Sequence, residues 1–425
     1  MEGRERVATQ QSGGKVVGAA LVVGGGIAGM QAALDLAESG IQVYLLEKSP
    51  WIGGRMAQLD KTFPTNDCAM CIMSPRLVEC SRHNNIQIIT NADLLDLRGQ
   101  AGDFTATIRK RARYVNEDIC TGCGICQEKC PWRTDSEFDL GLRKRKAIFT
   151  PFAQAVPNVP FIDTDLCIYF KRGTCKACEI FCGPGAIDFG QKDQEMELEV
   201  GAVILAPGSD TYDPGQSEEF GFGRYPNVVT SLQFERLLSA AGPTQGHILR
   251  QSDAQEPRRI AWLQCIGSRD QEHPYCSAVC CMYATKEAVI AREHLPPDVE
   301  LTIFLMDLRA YGKGFDAYFE RAKSQGIRYV HCRASAVMEV PHSKNLLLQY
   351  EREDGELLTE EFDMVTLSVG LTPPKGVDEL ASAAGISLSS LGFGASLSAA
   401  PLETDRPGVF LCGTFRGPKD IPDSV

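Results

Sequence analysis

The sequence predicts an α/β protein of two dinucleotide-binding-type units, with a small α+β module inserted into the first. Three observations predict it. A glycine-rich strand–turn–helix stands near the N-terminus, eight cysteines in two near-repeats follow it, and strands alternate with helices again from Arg258 onward. Such alternation is what a doubly wound parallel sheet produces.

Ala19–Val23 reads as a short buried strand, followed by Gly24-Gly25-Gly26-Ile27-Ala28-Gly29, which satisfies G-x-G-x-x-G. Residues 30–39 have helical apolar spacing, Gly40 ends that helix, and residues 41–46 form a second strand closed by Glu47. In this pattern Gly24 permits the tight turn, Gly26 lets backbone approach a pyrophosphate, and Gly29 lets helix and strand pack closely. Free N–H groups at the helix start favour phosphate, and Glu47 can accept from a ribose hydroxyl. Gly53-Gly54-Arg55 follows, as it does in many FAD enzymes. Residues 202–208 look like the strand and turn leaving this unit, and residues 407–413 like the strand returning to it. Such a strand usually ends Gly-Asp; here Thr414 follows Gly413, so Asp420 or backbone groups are expected to take over that contact. The candidate FAD-contacting residues are Gly24, Gly26, Ile27, Ala28, Gly29, Glu47, Lys48, Gly54, Arg55, Gly208, Gly413 and Asp420.

The inserted block, residues 114–190, opens with Cys120-x-x-Cys123-x-x-Cys126-x-x-x-Cys130-Pro131. Its second half repeats the run as Cys167, Cys175, Cys178 and Cys182, with five extra residues between the first two. Four thiolates at this spacing match a cubane cluster, the last cysteine of each run reaching the neighbouring cluster. The crossing rule assigns Cys120, Cys123, Cys126 and Cys182 to one [4Fe–4S] cluster, and Cys167, Cys175, Cys178 and Cys130 to the other. Zinc is the rival for C-x-x-C pairs; two near-repeats that each end C-x-x-x-C favour clusters.

A second unit is expected to begin with the strand at residues 258–263, but the phosphate-binding glycine loop is missing. Only Gly267 stands there, so a nicotinamide cofactor is not supported. Cys265, Cys276, Cys280 and Cys281 take its place within seventeen positions. They read either as buried reduced thiols, which behave as small hydrophobes, or, more favourably, as ligands of a third [4Fe–4S] cluster. Strands at residues 301–308 and 327–332 should flank the helix Phe315–Ser324. Cys68 and Cys71 form a C-x-x-C that suits a redox dithiol or packing against a flavin equally. Cys80, Cys332 and Cys412 read as core, and the six histidines show no ligand spacing.

The formal net charge of −12 argues against nucleic acid, which needs a basic face. No apolar run approaches a membrane span, and the N-terminus lacks a secretion signal. Seventeen cysteines, many in C-x-x-C runs, then point to metal ligation in a reducing, anaerobic cytoplasm.

These motifs resemble the A-type subunits of the heterodisulfide reductases. The matching stretches are VVGGGIAGMQAALDLAESG, GGRMAQLDKTFPTNDCAMCI, the eight-cysteine block, QCIGSRDQEHPYCSAVCCMYATKEA, LMDLRAYGKGF and CGTFRGPKDIPDSV. The resemblance implies a thioredoxin-reductase-like fold with FAD, an inserted ferredoxin domain, and the unusual cluster at Cys265, Cys276, Cys280 and Cys281. It also implies that Lys286 approaches the flavin N5, where the residue alone reads as a solvated helix position. The implied activity is oxidoreduction in which a flavin splits an electron pair between ferredoxin and a disulfide. The implied partners are the other subunits of such a complex, ferredoxin, and a hydrogenase or formate dehydrogenase electron-delivery subunit. Two other readings remain: a non-bifurcating flavin and iron–sulfur subunit of a quinone-interacting, membrane-associated complex, and a non-catalytic docking scaffold. Relatives of full length continue past GPKDIPDSV, so a truncated chain is expected. The expected layout is a FAD domain at residues 16–113, 191–256 and 371–425, a ferredoxin domain at 114–190, and a second Rossmann-like domain at 257–370.

Overall fold

The computed structural model describes residues 16–425; residues 1–15, on which the expectation of no secretion signal largely rests, lie outside it. β1 (Ala19–Val23), α1 (Ile27–Glu38) and β2 (Gln42–Glu47) form the strand–turn–helix–strand. The helix starts three residues earlier than its apolar spacing suggests, because Gly26 is extended and serves as the N-cap. α2 (Ala69–Arg82) and β3 (Ile86–Thr90) follow, then two antiparallel strands, β4 (Ala92–Gln100) and β5 (Asp103–Lys110). The chain next enters the insert, whose helices α3 (Ile125–Lys129), α4 (Ile168–Arg172) and α5 (Ala177–Ile180) are single turns. β6 (Gln194–Val200) returns antiparallel to β5, with Gln194 opposite Lys110. The insert thus leaves and re-enters at adjacent points and needs no change in the sheet that carries it. This is how an inserted domain is tolerated.

β7 (Ala202–Leu205) lies beside β1. The chain then passes through β8 (Val228–Thr230), α6 (Ser231–Leu238), β9 (Arg259–Ile266) and α7 (Cys280–His294). β10 (Glu300–Leu305), α8 (Phe315–Ser324), β11 (Arg328–His331) and β12 (Met364–Val369) complete the second unit. α9 (Val377–Ala384) and β13 (Val409–Leu411) close the first. The first sheet has the order β13-β7-β1-β2-β3 and the second β8-β12-β9-β10-β11, and both are wholly parallel. Asp210–Thr211 pairs with Leu371–Thr372 where the chain crosses between the units.

One expected boundary moves. β8 and α6 lie within residues 191–256, which the sequence places in the first unit, yet they belong to the second. Val228 pairs with Val365 of β12, and Phe234, Leu237 and Leu238 pack into one core with Trp262, Met282 and Ala288. Phe234 meets Trp262 edge-on, with ring centroids 5.3 Å apart. The helix is set locally by a capping box, in which Thr230 and Gln233 satisfy each other's backbone N–H groups. Which sheet the helix joins is a tertiary matter.

The insert has its own small core of Val115, Ile148, Val159, Ile162, Ala186 and Ile187 around Cys126 and Cys178. Buried Arg113 fastens it to the first unit: its guanidinium donates to Glu117 at 2.8 Å, the Val159 carbonyl at 3.0 Å and Thr90 Oγ1 at 2.8 Å. On the other side a buried Arg236–Asp139 pair at 3.0 Å fastens it to α6.

Candidate functional site

The turn after β1 is shaped by what its glycines lack. A Cβ on Gly24, whose φ is +112°, would sit 2.1 Å from the Ala206 carbonyl oxygen. One on Gly29 would lie 1.9 Å from the Gly24 oxygen, so α1 reaches β1 only because Gly29 has no side chain. Gly26 differs: a Cβ there would meet nothing within 4 Å, since it faces the open cavity at the start of α1. Glu47, at the end of β2, accepts the Gly25 N–H at 2.6 Å and the Ser49 N–H at 2.7 Å. Burial pushes its carboxyl above the usual carboxylate value, while those two N–H groups pull it back. Lys48 is not brought to the cavity: it is exposed, and its ammonium lies near Gly376. Successive residues of a strand end point to opposite sides, so Glu47 and Lys48 cannot both face the site.

The cavity is about 740 Å³, within the range of cofactor sites. Gly24, Gly26, Ile27, Ala28, Glu47, Gly54, Arg55, Gly208, Gly413, Thr414 and Asp420 all line it. Gly29 does not; its role is the packing just described. Arg55 pairs with Asp210 at 2.6 Å. Gly413 has a φ of +62°, and a Cβ there would meet that of Ala28 at 2.8 Å. Asp420 stands in the wall with Thr414 and accepts the Asp423 N–H at 2.8 Å. A glycine cradle, a carboxylate beside it and an opening for an aromatic ring fit FAD.

The other walls come from outside the first unit. The insert supplies Glu137, Phe138, Arg145, Phe149, Phe152 and Phe161. The second unit supplies Ser231, Leu232 and Glu235 from α6, and Val279, Tyr283, Lys286 and Glu287 from the start of α7 and just before it. Lys286 is therefore not a solvated helix residue. Its side chain is 2% exposed and forms an ion pair with Glu235, also 2% exposed. Glu235 had a faint sequence signal, an acid on the apolar face of α6 between Leu232 and Leu238; Glu287 had none.

Behind the insert's contribution to the wall, its cysteines gather in two groups. Cys120, Cys123, Cys126 and Cys182 line one small cavity; Cys130, Cys167, Cys175 and Cys178 line another. Each group takes three cysteines from one run and one from the other. Burial, with crowding by neighbouring thiols, pushes Cys126 up to about 11 and Cys178 up to about 12. Thiols so placed keep their protons unless a cation replaces them. Among the described residues no three His, Cys, Asp or Glu side chains converge on a single metal ion. A cubane spreads its four thiolates over the corners of a larger cage.

The third group lies at the end of β9 and the start of α7. Cys265 has a φ of +62°, at a register shift between Leu263 and Ile266. The Ala278 N–H donates to Cys276 Sγ at 3.3 Å, and the Arg309 N–H to Cys281 Sγ at 3.4 Å. Cys280, Cys281 and Cys265 are buried, and burial pushes all three thiols up, with Cys281 at about 11. Gly267 is not a phosphate turn: a Cβ there would lie 2.0 Å from the Tyr212 ring, which fills the space. Cys68 and Cys71 are joined in a disulfide at the start of α2, and neither lines the cavity.

Residues 20–75 match the family described as FAD dependent oxidoreductase, and residues 113–134 match the 4Fe-4S binding domain. The chain is 48% identical over 411 residues to the iron-sulfur A-type subunit of CoB--CoM heterodisulfide reductase from Methanocaldococcus jannaschii, covering 95% of this chain and 62% of the relative. Along nearly its whole length the chain is thus similar to the A-type subunits of the heterodisulfide reductases. Its counterpart from Methanopyrus kandleri is 50% identical, over 96% of this chain and 62% of the relative. The corresponding subunit of the H(2)/formate:CoB-CoM heterodisulfide,ferredoxin reductase of Methanococcus maripaludis is 46% identical, with 95% and 62% covered. The chain thus spans somewhat less than two thirds of the length of these curated relatives. Among solved structures, Lactococcus lactis thioredoxin reductase superposes with a TM-score of 0.50 at 13% identity, covering 95% of this chain and 91% of that one. The fold is thioredoxin-reductase-like, with a 4Fe-4S domain inserted. No helix among the described residues is long and apolar enough to cross a membrane.

Proposed function

We propose that the chain is the flavin and iron–sulfur electron-transfer subunit of a cytoplasmic heterodisulfide reductase-like complex. It would hold FAD in the 740 Å³ cavity, two [4Fe–4S] clusters in the insert, and a third on Cys265, Cys276, Cys280 and Cys281. One observation carries the reading: the eight-cysteine insert and the helix that begins at Cys280 both form walls of the dinucleotide cavity. Electron exchange between metal thiolates and a flavin needs proximity and no acid–base step between them. A docking scaffold would need neither a glycine cradle nor two gathered cysteine quartets in the module that walls it.

Bound FAD would supply a centre that accepts electrons in pairs and releases them singly. The chain's residues do the rest. The start of α1 and Gly26 receive the pyrophosphate, Glu47 a ribose hydroxyl, and Arg55 and Asp420 bound the wall. Lys286 places a cation in the wall, where it favours negative charge on the reduced ring. The partners proposed are the disulfide-reducing subunits, ferredoxin, and a hydrogenase or formate dehydrogenase delivery subunit, with the electron pair split between ferredoxin and a disulfide. The names of the Methanococcus maripaludis and Methanocaldococcus jannaschii relatives favour this over a quinone-linked membrane complex.

Protein prepared without oxygen should contain about twelve iron and twelve sulfide per FAD, as three cubanes require. About eight would remove the cluster at Cys265, and no flavin would remove the reading altogether. In the assembled complex, reduction of ferredoxin and of the disulfide should proceed only together; either alone would sink the electron-splitting part.

A further inference from the structure

Beside the cavity lies a buried group that cluster-to-flavin electron transfer does not use. Glu287 is fully buried on α7 and faces the cavity. Its Oε2 accepts the indole N–H of Trp262 at 2.9 Å, and its Oε1 has no hydrogen-bond partner. The nearest cation, Lys286, is already engaged by Glu235. A third carboxylate, Asp60, adds to the crowding: its backbone N–H donates to Glu235 Oε2 at 3.0 Å, and its Oδ2 also lacks a partner. Tyr283, on α7, faces Glu287 from the same wall, and Lys61 and His294 face Asp60 from further out. Three carboxyls therefore crowd one ammonium, the Glu235 and Glu287 side chains buried and that of Asp60 half buried. Ionising all three would leave two uncompensated negative charges in a medium that screens them poorly, which proteins avoid by keeping a proton.

From this geometry we infer that Glu287 stands as a neutral carboxylic acid and is the proton donor to the occupant of the cavity. The inference rests on the FAD reading above. With FAD bound there and two electrons delivered to it one at a time through the clusters, the Glu287 O–H bond would break and an N–H bond would form on the ring. Glu287 is left as a carboxylate, now beside Lys286, and regains its proton from solvent later. Asp60, only half buried, is the less suitable holder, because its ionised form keeps access to water. Burial, followed by the neighbouring Glu235 charge, holds the Glu287 carboxyl well above the usual range, while Lys286 and Trp262 act the other way.

Infrared spectroscopy of the flavin-free chain tests the first half. At neutral pH the wild type should show the carbonyl stretch of an un-ionised carboxylic acid, shifted by deuterium exchange and persisting into alkaline solution. It should vanish in Glu287→Gln and remain in Asp60→Asn. No such band, or one that disappears in Asp60→Asn and survives in Glu287→Gln, overturns the assignment. This readout requires no bound cofactor, so it stands apart from any failure of the chain to take up FAD. In the loaded protein the band should be lost when the flavin is reduced with two electrons; its persistence would overturn the donor role. Glu287→Gln keeps the acceptor for Trp262. Should it still fail to fold, the wild-type titration and the reduction difference spectrum decide the matter alone.

Discussion

The two α/β units share one plan, yet the ends of their central strands do opposite things. After β1 the chain makes a turn of glycines, one of which faces an open cavity. After β9 the equivalent turn keeps a single glycine, and the ring of Tyr212 occupies the space a phosphate would need. The second unit then brings a buried cation with its acids, Lys286 with Glu235 and Glu287, to the wall of the first unit's cavity. A sheet whose own turn is filled can thus still furnish walls for a neighbour's cavity. The difference between the units lies in backbone clearance, since their topologies match.

Lys286→Ala should have the largest effect. It leaves the Glu235 carboxylate buried without its cation, which costs about 3–5 kcal/mol, measured by denaturant unfolding of the flavin-free chain. Lys286→Met combined with Glu235→Met should recover most of that loss. If the single variant cost nothing, the second unit would not be contributing a sealed charge pair to the cavity.

Gly267→Ala should come next, at about 1–3 kcal/mol, because it must displace Tyr212 from a position whose φ is +64°. Flavin binding should survive in it. Gly26→Ala should do the reverse: its stability should stay within about 0.5 kcal/mol of wild type, while FAD affinity falls at least about tenfold, or ~1.4 kcal/mol. Equal effects of the two on both readouts would erase the contrast between an open and a filled turn.

The pH dependence of stability offers a finer probe. The folded Glu287 carboxyl is held above its ordinary value near 4.5, so its contribution is fully present below that value and lost as the pH rises through its folded value. Glu287→Gln should therefore flatten the alkaline side of the stability curve of the flavin-free chain. The smallest effect is expected for Asp210→Asn, which removes a half-exposed partner of Arg55 and should cost about 0–1 kcal/mol.

The sequence alone determined what local spacing can determine. G-x-G-x-x-G followed by Glu47 specifies the cradle, because clearance around a glycine is a property of a few adjacent residues. The two C-x-x-C-x-x-x-C runs specify the insert, since most ligands of each proposed cluster lie within one run. The helix Phe315–Ser324 follows from its apolar period and appears as expected. Tertiary structure decided what depends on residues far apart. It moved β8 and α6 into the second unit through the pairing of Val228 with Val365. It turned Lys48 away from the cavity and buried Lys286 against Glu235, fifty-one positions earlier. It also set Phe138, Phe149 and Phe161 of the insert in the wall of the cavity beside the glycine turn. Burial of a charge is a property of everything packed around it, so no window of sequence containing Lys286 or Glu287 alone could have revealed their environment.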